Sequence, residues 1–447
     1  MAAGGAVAGG PANSRKLGPV LAALVVAGNI IGAGIFALPA EIGAVGGVGL
    51  IGWVIATIGA FAVGAVLSIL ANLTGDPDGM VGYVSRTMSP FWGFLAGVVY
   101  WFSNFTAIIS LAVACAGYLS VYFPLLTGPL ARSLTSLAAL WLATGINLVG
   151  AKAVGRFSAV FLLAGLAPLL LLATVGWGHF RPEVFAGSWN VSGKSDLQGV
   201  QASVLAAFWA FTGLETGAMI SAVVRNPRRD VPIATLGGVG LAAAVYLSVL
   251  VVILGLAPAK VYATSGAPLA LAVSRIGGTG WAGMVAAFAL IKIMGTLSGM
   301  TLATAEAARA TLAARPFARP RVGRPADGAR RSETPTGILL WTAAAAGLVA
   351  LATTSPSFVA QFGALVDLSA IWTLIPYLMC ALALGLIARR YRGRARWGLA
   401  GVVLVASVVT ACVILTATPL SYAFTVALAA AIVGYWVLAT RRGRRAA

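Results

Sequence analysis

The sequence predicts an all-α membrane protein of twelve transmembrane helices, with helices 1 and 6 broken. Three observations carry this prediction. The 447 residues are 60% hydrophobic and only 9% charged, whereas a soluble domain carries roughly a quarter of its residues charged. Apolar stretches long enough to span a bilayer as helices recur along the whole chain. Two of them are interrupted mid-span by glycine-rich runs, at residues 28–36 and 210–217. The short alternating segments of a transmembrane barrel are absent.

The apolar stretches run over 18–40, 45–71, 91–123, 132–149, 157–178, 201–224, 233–256, 281–308, 337–354, 360–386, 397–417 and 421–440. Placing the N-terminus inside puts most of the 30 lysines and arginines in inner segments. Arg132, Arg181, Lys194, Lys260 and Arg275 fall in outer loops, and Lys292 lies within a span. This bias predicts cytoplasmic termini. The net charge of +19 is therefore a topology signal, not a nucleic-acid surface. The basic tail at 441–447 also suits anionic lipid, so membrane lipid is an expected partner and nucleic acid is not.

In chain order, residues 1–16 are small and flexible, with no secretory cleavage pattern, and precede a single domain over 17–440. The first span contains Gly28-Asn29-Ile30-Ile31-Gly32-Ala33-Gly34-Ile35-Phe36. Its glycines prevent a continuous helix, and in hydrocarbon such a break is tolerated only where it is buried in protein or lines a cavity. Tyr100 and Trp101 sit inside the third span, where packing and gating are both open readings. His179, the single histidine, ends the fifth span and reads as structural or solvated.

The second break, Ala210-Phe211-Thr212-Gly213-Leu214-Glu215-Thr216-Gly217, lies five spans after the first and is bordered by Trp209. This spacing divides the chain into halves of five spans, about 17–178 and 201–386, followed by added helices over 397–440. Freed N–H groups at the breaks favour a carboxylate and freed carbonyls an ammonium, which together make a receptor for an amino acid backbone. The competing reading is glycines that serve close helix packing. Glu215, inside the second break, is functional by default at membrane depth, with a buried hydrogen-bonded acid as the alternative.

Prolines and charges place residues 225–232 in a cytoplasmic turn, and the basic connector over 315–335 in an inner loop. Cys115, Cys380 and Cys412 all fall in spans and read as packing residues. No metal site or cofactor is expected. The lone histidine and few intramembrane acids also argue against a membrane enzyme.

Residues 28–36, the stretch Phe208-Trp209-Ala210-Phe211-Thr212-Gly213-Leu214-Glu215 and the sequence VRNPRRDVPIAT at 224–235 resemble the amino acid–polyamine–organocation superfamily. Bacterial arginine/agmatine antiporters look most similar. Trp189-Asn190-Val191-Ser192-Gly193 and Ile375-Pro376-Tyr377 add to a likeness covering about 17–440.

The resemblance implies two inverted five-helix repeats plus two helices, an often dimeric assembly in the bacterial inner membrane, and exchange of an amino acid for its decarboxylated amine by alternating access. It sets the substrate's α-carboxyl and α-amino groups against Asn29, Ile30, Gly32, Ala33, Gly34 and Trp209. It matches Tyr100, Glu215 and Tyr377 to inner gating and proton response, and Ser369 to a position near the substrate.

The side-chain end departs from that pattern. Met300 stands where the antiporters have a tryptophan, Ser103-Asn104 where they have Ala-Cys, Ile108 where they have Asn, and Ala33 and Ala210 where they have serines. Losing the aromatic face removes about 0.5–2 kcal/mol of cation–π attraction. Lys292, Thr296 and Met300 share one helical face. Three readings of Lys292 are open: a buried pair with Asp367, a pathway charge selecting less cationic substrates, and a titratable coupling site. The second functional class is accordingly a proton-coupled symporter or uniporter for neutral or other amino acids.

Overall fold

Glycine and proline punctuate the apolar sequence and decide where each helix starts and stops. The computed structural model describes residues 16–32, 34–75, 79–149, 165–220, 224–313 and 336–446. Regular structure among them is helical, apart from an isolated parallel bridge between Leu17 and Val224. Ala33 and the connector expected at 315–335 lie outside the described residues.

The first apolar stretch folds as two pieces, α1 (Pro19–Ile30) and α2 (Leu38–Val45), joined through a single 3-10 turn at Gly34–Phe36. There follow α3 (Gly49–Thr74), α4 (Gly79–Thr87), α5 (Pro90–Leu119), α6 (Pro129–Val149), α7 (Gly165–His179) and α8 (Pro182–Gly187). The second interrupted stretch is α9 (Asp196–Ala210) and α10 (Thr216–Met219). Then come α11 (Pro227–Leu256), α12 (Ala259–Ala263), α13 (Pro268–Ala313), α14 (Thr336–Ala352), α15 (Phe358–Ala388), α16 (Gly393–Ile414) and α17 (Pro419–Ala446).

Seven helices among the described residues are long and apolar enough to cross a membrane: α3, α5, α11, α13, α15, α16 and α17. Shorter apolar helices are α1, α7 and α14. The chain is a multi-spanning all-α membrane protein. Its interior is organised around α5, which packs against both α13 and α15. α1 lies along α11, and α9 lies along α3. Lipid tails are as apolar as leucine, so close van der Waals approach has to hold such helices together. Gly238 of α11 provides one such approach, since a Cβ there would stand 2.7 Å from Val26 Cγ1 on α1.

The structure corrects the expected turn at 225–232. Pro227 opens α11 and Pro232 lies inside it. Asp230 Oδ2 accepts the Asn226 N–H at 2.9 Å, satisfying the helix start. Proline at 232 has no N–H to give the Arg228 carbonyl four residues back, and Asn72 Nδ2 donates to that carbonyl instead, at 3.3 Å. A helix is therefore tolerated where proline counting predicts a turn.

Other boundaries shift for local reasons. α9 begins ahead of the expected residue 201 because Ser195 and Gln198 form a reciprocal capping box. α13 begins at Pro268, and Gly278, at φ 76°, separates a short approach segment from the span expected at 281–308. Arg132, expected in an outer loop, is buried in the first turns of α6, where Nε donates to Gln361 Oε1 at 3.0 Å and Nη2 to the Ser355 carbonyl. His179 is exposed at the end of α7. Cys115 and Cys380 are buried and Cys412 exposed, all in helices.

Candidate functional site

Both expected breaks form, and they meet. α1 stops at Ile30 because Gly32 donates to the Ile30 carbonyl (2.6 Å), two residues back, where a helix requires four. α9 stops at Ala210 and passes through a run of three-residue turns, with Gly213 at φ +100°. Only glycine adopts that backbone readily. A Cβ at Gly213 would also stand 3.1 Å from the Asn29 carbonyl oxygen, so the two irregular segments run against each other. Tyr246 Oη on α11 lies 2.6 Å from the Ile30 carbonyl and 3.1 Å from that of Ala210. One fully buried hydroxyl thus serves both loose helix ends.

A cavity of about 610 Å³ opens beside the breaks. Its walls come from α1, α5, α9, α13 and α15. Of the residues singled out from the sequence, Asn29, Ile30, Gly32, Gly34, Tyr100, Ser103, Asn104, Trp209, Ala210, Glu215, Lys292, Met300 and Ser369 all line it. Ile108 is fully buried and absent from the walls; α5 presents Ala107 and Leu111 there instead. Tyr377 stands behind the wall, in contact with Glu215.

Glu215 is 6% exposed and receives three hydrogen bonds. Tyr100 donates to Oε1 at 2.7 Å, and Oε2 accepts from Tyr377 at 2.6 Å and from the Gly213 N–H at 3.0 Å. Three donors compensate the desolvation of a carboxylate at this depth. The acid therefore fastens α5 and α15 to the second break.

A second cluster lies around Ser369. Trp209 Nε1 donates to Ser369 Oγ at 2.9 Å, which in turn donates to the Ser103 carbonyl at 3.0 Å. Ser103 Oγ donates to the Ser369 carbonyl at 2.8 Å and also lies against Thr373 Oγ1. Trp209 meets Phe362 edge-to-face, with ring centroids 6.0 Å apart. Gly34 clears space for the indole, because a Cβ there would stand 2.6 Å from Trp209 Cζ3. One aromatic side chain is so held between the first break and α15.

Lys292 makes no ion pair with Asp367. Its Nζ donates to the Gly28 carbonyl at 3.4 Å, at the end of α1. Asp367 lies one turn from Gly363 on α15, whose Cβ position would be 2.7 Å from Glu41 Oε1 on α2.

A model of the amino acid permease family matches residues 17–441. The chain belongs to the amino acid permease family. A cadaverine/lysine antiporter of Escherichia coli is 36% identical over 264 residues, which span 59% of this chain and 59% of that relative's length. A putrescine transporter of Escherichia coli is 29% identical over 379 residues, 85% of each chain. One from Haemophilus influenzae is 28% identical over 380 residues, 85% of this chain and 86% of the other. The superfamily expected from the sequence agrees with this membership, as does a non-enzymatic role. These relatives do not carry the arginine/agmatine assignment within it.

Several residues in and around this cavity escaped the sequence reading. Tyr246 did so because a tyrosine in an apolar span reads as packing until its hydroxyl is asked for a partner. Tyr118 is a second case: its hydroxyl donates to the Phe36 carbonyl at 2.7 Å and accepts from the Leu269 N–H at 3.3 Å. Thr216 accepts from Asn29 Nδ2 at 3.4 Å across the two breaks. Glu41 fell between the first two apolar windows, yet its Oε1 is buried without a hydrogen-bond partner.

Proposed function

We propose that this permease is an antiporter of the bacterial cell membrane that exchanges a basic amino acid for the amine left by its decarboxylation, with lysine and cadaverine as the first pair to test. The observation carrying this is the meeting of two broken helices at one cavity whose walls, among the described residues, include a single carboxylate, Glu215. Backbone groups released at the breaks supply polarity for a substrate's carboxylate and ammonium groups at a depth where water is scarce. Asn29, Ile30, Gly32, Ala33, Gly34, Trp209 and Ala210 take that end of the substrate. Ser103, Asn104, Met300 and Ser369 take the side chain, and Tyr100, Glu215 and Tyr377 form the gate.

The similarity to a cadaverine/lysine antiporter and to putrescine transporters favours an amine as counter-substrate, and exchange over symport or uniport. Counting α1 with α2 and α9 with α10 as interrupted spans, and adding α6, α7 and α14, is consistent with twelve crossings and both ends on one side, which the Lys/Arg bias favours as the cytoplasmic one. The packing of α1 along α11 and of α9 along α3 is the reciprocal arrangement that an inverted repeat of spans 1–5 and 6–10 requires.

Counterflow in proteoliposomes tests the reading. Vesicles loaded with cadaverine should accumulate labelled lysine, and empty vesicles should not. Exchange restricted to neutral amino acids would sink the substrate class. Uptake that needs no counter-substrate would sink antiport.

A further inference from the structure

We propose that Lys292 is a specificity-determining residue that pairs with the substrate's carboxylate, so that the cavity favours an amino acid over the diamine derived from it. The inference deepens the antiport reading and rests on the cavity being the substrate chamber.

Lys292, Thr296 and Met300 present one face of α13 to the cavity, with Lys292 at its end. The side chain is 6% exposed. Gly165 of α7 leaves room for its stem, since a Cβ there would stand 2.7 Å from Lys292 Cβ and Cδ. The stem can therefore reach from α13 to the end of α1. The carbonyl end of a helix carries partial negative charge, which holds the ammonium beside the first break.

That hold is incomplete. An ammonium has three N–H donors, and its acceptor among the described residues is the Gly28 carbonyl at a long 3.4 Å. No carboxylate lies within 4.0 Å of Nζ among the described residues. Glu215, the carboxylate of the cavity wall, already receives three hydrogen bonds. The cavity thus holds an under-coordinated ammonium and a carboxylate that already receives three hydrogen bonds. A buried ammonium without an anion is costly, and a ligand carboxylate relieves that cost. An amino acid brings one; its decarboxylated amine brings only positive charge, which Lys292 repels.

The test compares L-lysine, L-lysine methyl ester and cadaverine as competitors of labelled substrate in proteoliposomes, for the wild type, Lys292→Met and Lys292→Arg. In the wild type, L-lysine should compete better than its methyl ester by about tenfold or more. Lys292→Met should lose most of that preference and gain affinity for cadaverine, whereas Lys292→Arg should keep the preference for the free carboxylate. If Lys292 only caps α1, all three competitors weaken by the same factor in Lys292→Met, and the proposal is overturned. An unchanged lysine-to-ester ratio overturns it equally. If Lys292→Met fails to fold, the arginine variant decides: loss of the carboxylate preference with the cation retained overturns the proposal. A wild type that carries neither lysine nor cadaverine instead overturns the antiport reading, and this inference with it.

Discussion

Tyr377 on α15 donates a 2.6 Å hydrogen bond to Glu215 Oε2 in the second break, although the two residues lie 162 apart in sequence. Tyr100 on α5 fills the other carboxylate oxygen at 2.7 Å. The second break is therefore tied to two long helices through one acid. Any movement of those helices relative to the break has to pay for breaking charge-assisted bonds.

Glu215→Gln should weaken this junction more than Tyr377→Phe. A glutamine amide turns one acceptor into a donor that faces existing donors, leaving a buried group unpaired at a cost of about 1–3 kcal/mol. Tyr377→Phe removes a single donor and leaves Oε2 the Gly213 N–H. Apparent Tm in detergent should rank wild type, then Tyr377→Phe, then Glu215→Gln, and counterflow should follow the same order. A glutamine variant as stable and active as the wild type would contradict this account.

Tyr246→Phe should destabilise both breaks together. The Ala210 carbonyl loses its hydroxyl partner and the Ile30 carbonyl keeps only the Gly32 N–H; a buried acceptor left without a partner costs about 1–3 kcal/mol. Hydrogen exchange should rise at both 28–36 and 210–217. A rise at only one of them would show that the tyrosine does not couple the breaks.

Gly34→Ala should be poorly tolerated, because the new methyl would stand 2.6 Å from Trp209 Cζ3. Overpacking of this kind costs about 1–3 kcal/mol. Combining it with Trp209→Phe removes the outer part of the indole and should recover part of the folded yield, read by size-exclusion chromatography. The single Trp209→Phe change loses the bond to Ser369 Oγ and should reduce transport on its own.

Met300→Trp should raise the affinity for arginine over that for lysine, because Met300 lines the cavity and an aromatic face there stacks on a guanidinium. The expected gain is about 0.5–2 kcal/mol, read as the ratio of the two inhibition constants. No change in that ratio would place the substrate's side-chain end elsewhere in the cavity.

An accessibility tag after residue 447 should be protected in intact cells and exposed on permeabilisation. The charge asymmetry between inner and outer segments carries this expectation. A tag reactive in intact cells would reverse the assigned topology.

The breaks and much of the cavity lining were legible in the sequence. Glycines cannot sustain a helix through 28–36 or 210–217, so both breaks were visible as punctuation, and Trp209 and Glu215 came with them as neighbours in the chain. The third span's Tyr100, Ser103 and Asn104 and the eighth span's Met300 were placed by resemblance, and the fold brings them to the same walls. What failed depended on side-chain direction: Ile108 turns away from the cavity, and Asn72, far along the chain, supports a helix through Pro232.

The sequence by itself determined that this is a multi-spanning membrane protein with two interrupted helices. Hydrophobic length and backbone permissiveness are local properties and need no knowledge of neighbours. Only the tertiary structure decided that the breaks face each other, that one tyrosine serves both, and that Lys292 turns to the end of α1 instead of to Asp367. In hydrocarbon the partner of a polar group is whatever side chain or carbonyl the packing brings within about 3 Å. Packing between residues hundreds of positions apart leaves no mark on the pattern of either one alone.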